Sequence, residues 1–306
     1  MWSKHIEMKK FLFLTLLFLA SGLIYGQIPT YYLNPNKKLT QYNFKNWTTE
    51  NGLPSNSLLH IHQTSDGYLW ISGYSGLIRF DGNSFTVFNS SNTEALENNV
   101  IRSLAEDRKG NLWMTTQGSG LIAYNNGTFK TYGKEIGMMN LYRALLVDDK
   151  DRIWSASPEF GWFYLENEEL HFIEHSSSLK NLEVRTIIQS QDGTIWFGTL
   201  GNGIYKYQNN QLSQVEMPDY LKNECIYSLL SENGELWIGA NSGVFTYNGK
   251  QFSRQLPQIN STVNDILRDK YGNMWFGTIN GLYRKNKSDE SLEYISTDNG
   301  LANNFV

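Results

Sequence analysis

Six tryptophans at nearly constant spacing constrain the fold of this chain more than any other feature of its sequence. Each ends a short phrase that begins with a turn-forming Gly or Asp. The tryptophans are Trp70, Trp113, Trp154, Trp196, Trp237 and Trp275, at intervals of 43, 41, 42, 41 and 38 residues. A repeat of about 40 to 45 residues with strand-like content is typical of the blades of a β-propeller. The spacing therefore predicts an all-β propeller.

Each repeat can be divided into four short strands. The first is largely apolar, as in residues 100–104, and a polar turn such as that at Gly110 follows it. The second strand contains the Trp. A glycine loop, as at Gly201–Gly203, leads to the third strand, and a second Asn/Gly turn leads to the fourth. One such sheet cannot bury both of its faces alone, so we expect the blades to pack radially on one another.

The number of predicted outer strands exceeds the number of complete repeats. Seven segments have the pattern of a fourth strand, against six complete inner sets of three strands: Tyr42–Trp47, Phe85–Phe88, Phe129–Tyr132, Leu170–Ile173, Leu212–Val215, Phe252–Arg254 and Leu292–Ile295. Residues Asn299–Leu301 also repeat Asn51–Leu53, where a blade begins. The sequence thus predicts six complete blades and the start of a seventh, with Tyr42–Trp47 as the outer strand of blade seven.

The first 26 residues have the order of an export signal. Lys9 and Lys10 precede an apolar run over residues 11–20, and small residues lead to a cleavage position after Gly26. An uncleaved membrane anchor is the alternative, but a span needs about 20 apolar residues and this run is shorter. The predicted division of the chain is a signal peptide (1–26), a lead-in (27–41) and the propeller (42–306), which places the mature protein in the periplasm.

Two of the repeats resemble a known family. The phrase "NGLPSNS…DGYLWISGYSGLIRFDG" from Asn51 to Gly82 and "ENNVIRSLAEDRKGNLWMTTQGSGLIAYNNG" from Glu97 are similar to the repeat of the two-component regulator propeller family. The resemblance implies the periplasmic sensor region of a Bacteroidetes-type hybrid or sensor histidine kinase. In that family a β-sandwich, one membrane helix and a cytoplasmic output domain follow the propellers. Membrane attachment would then come only from a region beyond Val306, and the full-length protein could form a homodimer.

Composition and motifs narrow the function classes. The net charge of −4 gives no reason to expect a nucleic-acid partner, since proteins that bind nucleic acid usually need a basic face. The single cysteine, Cys225, excludes an intrachain disulfide, and the histidines lack the spacing of a metal site. No catalytic motif, kinase motif or cofactor-binding motif is present, so we expect no cofactor. Three hypotheses remain: a ligand-sensing ectodomain for a small molecule or oligosaccharide, a stand-alone secreted binding or adhesion protein, and a propeller lyase.

The first strands carry a candidate ligand site at one fixed position. Eleven residues before the blade Trp, or ten in blade five, stand Leu59, Arg102, Arg143, Arg185, Tyr227 and Asn264. Three successive arginines should converge on one side of the central channel. Guanidinium groups bind a carboxylate or sulfate in a bidentate manner, as on an acidic glycan fragment. The alternative is that each arginine pairs with a local carboxylate such as Glu97, Glu183 or Asp265.

Blade three departs from the other repeats in the loop after its second strand. The glycine-rich phrase of blade four is replaced there by residues 155–162, Ser-Ala-Ser-Pro-Glu-Phe-Gly-Trp. Trp162 aligns with Leu121 and Ile204, which predicts a core position. Glu159 and Phe160 fall at the tip of the loop and are further candidates for ligand contact. The alternative is that this loop is only a connector.

Overall fold

Six four-stranded antiparallel sheets, arranged as the blades of a β-propeller, make up the domain, as the repeat predicted. The structure is a computed structural model that describes residues 37–306, apart from residues 43, 175–178 and 180. The predicted signal peptide (1–26) and most of the predicted lead-in (27–41) lie outside the described residues. The propeller unit runs from Lys38 to Val306. No helix in the described part of the chain is long and apolar enough to cross a membrane.

The strands follow one another from the inside of each blade to the outside. Blade one contains β1 (Leu58–Gln63), β2 (Leu69–Gly73), β3 (Gly76–Phe80) and β4 (Phe85–Phe88). Blade two contains β5 (Ile101–Glu106), β6 (Leu112–Thr116), β7 (Leu121–Asn125) and β8 (Thr128–Tyr132). Blade three contains β9 (Leu145–Val147), β10 (Ile153–Ser157), β11 (Gly161–Glu166) and β12 (Glu169–Phe172).

The second half of the domain repeats this order. Blade four contains β13 (Val184–Gln189), β14 (Ile195–Thr199), β15 (Ile204–Gln208) and β16 (Gln211–Gln214). Blade five contains β17 (Ile226–Glu232), β18 (Glu235–Ala240), β19 (Gly243–Tyr247) and β20 (Phe252–Gln255). Blade six contains β21 (Val263–Arg268), β22 (Met274–Thr278), β23 (Gly281–Lys285) and β24 (Leu292–Ile295). Short 3₁₀ helices stand at Leu39–Gln41, Thr49–Asn51, Lys134–Ile136 and Thr297–Asn299.

The hydrophobic core lies between successive blades. At the interface of blades three and four, the fully buried Trp162 stacks on Phe197 with ring centroids 4.6 Å apart. Trp154 is also fully buried there, and Tyr207 packs on its ring. The prediction that Trp162 belongs to the core is confirmed. The repeat tryptophans are buried in blades one to three and partly buried in blades four to six, so they pack between sheets as predicted.

The innermost strands of the first and last blades each carry an apolar side chain that is largely exposed. Ile61 of β1 is 60% exposed, whereas Leu104, at the same position of β5, is 2% exposed. Leu267 of β21 is also 60% exposed. The positions equivalent to Ile61 are buried in four other blades and half-buried in blade three, and those equivalent to Leu267 are half-buried. Ile61 and Leu267 thus receive less cover from the described chain.

The N-terminal segment joins blade six to blade one but forms no strand. The backbone N–H of Leu39 donates to Glu293 Oε2 at 2.8 Å in blade six. The Trp47 ring lies 5.6 Å from that of Phe80 and 5.2 Å from that of Phe85 in blade one. The prediction that Tyr42–Trp47 is an outer strand is wrong for the described residues, since no third strand lies beside it to supply hydrogen bonds.

Candidate ligand-binding site

A β-bulge marks the same position in five of the six innermost strands. The ladder between the first and second strands skips one residue in each of these blades: Leu59, Arg102, Arg185, Tyr227 and Asn264. In blade three the equivalent residue, Arg143, stands in irregular backbone just before the short strand β9. A bulge leaves one residue unpaired and redirects its side chain. The residues selected by sequence spacing are therefore the ones that are left unpaired between the first and second strands.

The bulges lie at the end of the propeller where the loop after each second strand returns to the channel. In blade two the backbone N–H of Gln117 donates to the carbonyl of Val100 at 2.9 Å, and in blade four Leu200 donates to Glu183 at 3.0 Å. These bonds hold the loop against the start of the inner strand of its own blade. Loop side chains and bulge side chains therefore meet at one end of the domain.

Arg102 is oriented by its own blade. Its Nη2 donates to Gln117 Oε1 at 3.1 Å. Gln117 in turn forms an isolated β-bridge with Asn140 in the segment that leads to blade three. The Nε of Arg102 is buried and has no hydrogen-bond partner. One side of this guanidinium is thus fixed by the protein, and its Nε is left unsatisfied.

Arg143 lies between two other positive charges. Its Nε is buried without a hydrogen-bond partner. Burial and the charges of Arg185 and Arg102, against opposing effects of Tyr74 and Glu183, together lower the pKa of Arg143 to about 10. The guanidinium remains protonated near pH 7. A positive charge is therefore held half-buried beside two like charges, which is energetically unfavourable. We call Arg102, Arg143 and Arg185 the arginine arc.

Arg185 completes the arc in blade four. Burial lowers its pKa, and the negative charge of Glu183 opposes that effect. Its guanidinium carbon lies 5.5 Å from the centroid of the Tyr227 ring in blade five, within the range of a cation–π contact. Two of the predicted site residues are therefore in contact across a blade boundary.

The local carboxylates do not pair directly with the arc. Glu97 pairs with Lys134 instead. Asp265 accepts from the Ser228 hydroxyl at 2.9 Å and from the backbone N–H of Ile266. Within the described part of the chain, no carboxylate oxygen lies within 4.0 Å of an arc guanidinium. The alternative of three local ion pairs is therefore not observed there.

Four further residues lie at this end, and of these the sequence indicated only Glu183, as a possible ion-pair partner of the arginines. Tyr74, in the loop after β2, is 58% exposed and acts electrostatically on both Arg143 and Arg185. Gln117, Tyr142 and Glu183 are the others. Burial raises the pKa of Tyr142, and the charges of Glu183 and Glu159 raise it further. An alignment of the blades indicates part of this set, because Tyr74 and Gln117 each follow the blade Trp by four residues.

The remaining predicted residues lie around the arc with partners of their own. The Glu159 carboxylate accepts from Asn140 Nδ2 and from the Ser157 hydroxyl, both at 2.7 Å. The Phe160 ring packs on that of Phe172 at 5.8 Å. Asn264 Nδ2 donates to the carbonyl of Val306 at 2.9 Å. Ligand contact by these residues stays a prediction.

One histidine lies near the arc but is not arranged as a base. Burial lowers the pKa of His60 to about 4, and the charges of His62 and Arg143 contribute. The imidazole is therefore neutral near pH 7. Its Nδ1 accepts the backbone N–H of Leu104 at 3.2 Å, which leaves the proton on Nε2 and no free lone pair on the ring. His60 thus has the role of a structural acceptor.

Neither metal-binding clusters nor the surface grooves described below coincide with the arc in the described residues. No group of three or more His, Cys, Asp or Glu side chains among them converges where a metal ion would bind. Three surface grooves lie between neighbouring blades, on blades one and two, two and three, and four and five. None of these three grooves is lined by an arc residue. The arc at the bulged end is the strongest candidate site.

Comparison with known sequences agrees with the repeat. Residues 52–75, 95–118, 178–201 and 257–280 match the two-component regulator propeller family. A curated relative, histidine kinase P4 of Formosa agariphila, is 30% identical over 239 residues, which cover 69% of this chain and 17% of that protein. The chain thus spans about a sixth of the length of this relative. Four segments of the chain are two-component regulator propeller repeats, and the resemblance seen in the sequence is confirmed.

Solved structures show the same architecture. The extracellular domain of a putative hybrid two-component system from B. thetaiotaomicron superposes with a TM-score of 0.70 at 22% identity, over 85% of this chain and 38% of that one. Virginiamycin B lyase from Staphylococcus aureus superposes with a TM-score of 0.62 at 14% identity, over 78% and 84%. At sequence identities this low, the similarity to these structures shows a common fold only. The chain thus contains four matches to the two-component regulator propeller repeat, and its fold is similar to that of such an extracellular domain.

Proposed function

We propose that this chain is the exported ligand-sensing propeller of a two-component signalling protein. On this proposal it recognises a glycan fragment, or another small ligand with a carboxylate or sulfate, at the arginine arc. Similarity to the histidine kinase relative and to the hybrid-system extracellular domain supports the signalling role. The order of charges and apolar residues in segment 1–26 supports export to the periplasm. Attachment to the membrane, and a homodimer, would then depend on regions other than the propeller.

The environment of Arg143 carries the proposal for the ligand. A half-buried guanidinium with an unbonded Nε stands between two further arginines, and the nearest described carboxylates are not ion-paired with it. Like charges at short range in a partly desolvated place are unfavourable. An anion bound at Arg143 would relieve this repulsion and accept hydrogen bonds in the bidentate geometry that guanidinium groups favour.

Aromatic side chains at the same end fit a saccharide ligand. Tyr74 is exposed beside the arc, and Tyr227 stacks with Arg185. Rings with one apolar face and one polar edge suit ligands that present both C–H and hydroxyl groups. An acidic oligosaccharide offers an anionic group to the arginines and a ring face to a tyrosine.

A propeller lyase is the less favoured alternative. A lyase would need a base in the channel, and the lone pair of His60 Nδ1 is already used by Leu104. A stand-alone binding protein would use the same arc, and only the coding sequence that adjoins this chain distinguishes it from a sensor. A turnover assay on glycans would detect lyase activity directly.

The proposal is tested by comparing an acidic oligosaccharide with its uncharged methyl ester. Isothermal titration calorimetry at low salt would measure binding of trigalacturonate and of its fully methyl-esterified form. We expect the acid to bind at least about tenfold more tightly, which corresponds to about 1.4 kcal/mol, and the difference to shrink as salt screens the arc. Equal or tighter binding of the neutral ester would contradict the proposal.

A further inference from the structure

Among the described residues, the Glu183 carboxylate acts electrostatically on both Arg143 and Arg185. It stands directly before β13 and two residues before the bulge at Arg185. The bond from the Leu200 N–H to its backbone carbonyl fixes its place against the loop of the same blade. The backbone therefore holds this side chain at the edge of the arc.

The Glu183 carboxylate is half-buried and unbonded. In the described structure it has no hydrogen bond and no ammonium or guanidinium nitrogen within 4.0 Å. A partly desolvated carboxylate without donors is unfavourable, and each of its oxygens accepts hydrogen bonds. By contrast, Glu159 on the neighbouring blade already has donors from Asn140 and Ser157. Glu183 is thus the acceptor at this end that is left for a ligand.

We infer that Glu183 is a specificity residue that accepts hydrogen bonds from hydroxyl groups of the ligand whose anionic group binds the arc. This inference rests on the proposed function and adds a second requirement to it. A ligand must carry hydroxyl groups next to its anionic group, as a uronic acid residue does. An anion without such hydroxyls meets only the negative charge of Glu183, which repels it.

The test compares Glu183→Gln with the wild-type chain against two probes. Sodium sulfate is an anion without hydroxyl donors, and trigalacturonate has both groups. We expect Glu183→Gln to bind sulfate several-fold more tightly, because a like charge has been removed, and to bind trigalacturonate about tenfold more weakly, because a charged acceptor has been lost. Glu97→Gln is the matched control, since Glu97 is paired with Lys134 and should change neither affinity.

The outcomes separate this inference from the proposed function. Three results would overturn the role of Glu183. In Glu183→Gln the affinities for both probes change in the same direction, or neither affinity changes. The third is that the wild-type chain does not bind trigalacturonate. Arg143→Ala is measured in parallel with both probes. If it binds them as the wild-type chain does, the arc itself is not the site and the proposed function fails. If it weakens both while Glu183→Gln shifts both alike, only the inference about Glu183 fails.

Discussion

The indole Nε1 of Trp113 donates a hydrogen bond to Oδ2 of Asp107, six residues earlier, at 2.8 Å. The same six-residue bond is present in four other blades: Trp70 to Thr64, Trp154 to Asp148, Trp196 to Ser190 and Trp275 to Asp269. Asp107 also accepts the backbone N–H groups of Lys109 and Asn111. The repeat tryptophan therefore fixes the first hairpin of its blade as well as packing between sheets.

Loss of this acceptor should destabilise the domain. Asp107→Ala leaves the buried Trp113 Nε1 and two turn N–H groups without their acceptor, which we expect to lower the free energy of unfolding by about 1–3 kcal/mol. Asp107→Ser should lower it less, because Ser190 provides the same bond to Trp196 at 2.9 Å. Urea unfolding would measure both.

Asp219→Ala is the control for this comparison. Asp219 is exposed and forms a surface ion pair with Lys222, so its loss should change stability little. Equal losses for Asp107→Ala and Asp107→Ser would show that the acceptor at this position does not determine the stability of the hairpin.

The acid stability of the domain should depend on Asp148. Burial alone would raise the pKa of this carboxyl, but hydrogen bonds from Trp154, from the backbone of Arg152 and Lys150, and from the Arg152 side chain together lower it below its ordinary value of 3.8. A depressed pKa in the folded state means that the stabilisation is complete above the unfolded-state pKa and is lost as pH falls through the folded-state value.

Asp148→Asn should therefore be less stable than the wild-type chain at pH 7, and the difference should shrink below about pH 4. Urea unfolding at pH 7 and at steps down to about pH 2.5 would measure it. A difference that stays constant or grows on acidification would show that ionised Asp148 is not the stabilising species.

The spacing of the tryptophans predicted the blades, because the Trp of each repeat both fixes the first hairpin and packs in the core between sheets. It also predicted the positions of Arg102 and Arg185, since the bulge falls at a constant distance from the Trp. It did not predict Tyr74, and it indicated Glu183 only as a possible ion-pair partner, because side chains from different blades meet through radial packing, which no spacing within one repeat encodes. The prediction of a strand at Tyr42–Trp47 is wrong because a β-strand also requires a neighbouring strand to hydrogen-bond with. Strand propensity alone does not provide that neighbour.

The exposed faces of blades one and six lead to a prediction about a seventh blade. The Trp47 ring packs on Phe80 and Phe85 of blade one as the Phe88 ring of blade one packs on Tyr124 and Phe129 of blade two. We expect a further blade to cover the exposed side chains of Ile61 and Leu267.

Cysteine labelling in a Cys225→Ser background tests this prediction. Ile61→Cys should react readily with a maleimide in the present chain and at least about tenfold more slowly in a polypeptide extended by further blade sequence, because burial blocks access to the thiol. Leu104→Cys, which is buried between blades one and two, should react slowly in both. Equal labelling of Ile61→Cys in the two polypeptides would exclude a covering blade.

The blade-three loop should contribute less to binding than the arc. Because Glu159 already accepts from Asn140 and Ser157, Glu159→Ala should lower ligand affinity by less than about threefold, or about 0.65 kcal/mol. Phe160→Ala should lower stability through its contact with Phe172. Calorimetric titration with trigalacturonate and thermal melting would separate the two effects, and a tenfold loss of affinity in Glu159→Ala would place the loop in the site.

The most direct test of the account is the affinity of Arg143→Ala for an acidic oligosaccharide. We expect Arg143→Ala to bind trigalacturonate roughly tenfold to a hundredfold more weakly than the wild-type chain, about 1.4–3 kcal/mol, with little change in melting temperature. Arg108→Ala is the control, because Arg108 is exposed and lies in the hairpin turn after β5, next to Asp151. It should bind as the wild-type chain does. If Arg143→Ala instead destabilises the fold by about 1–3 kcal/mol and leaves the affinity unchanged, the arginine arc is structural and the ligand binds elsewhere.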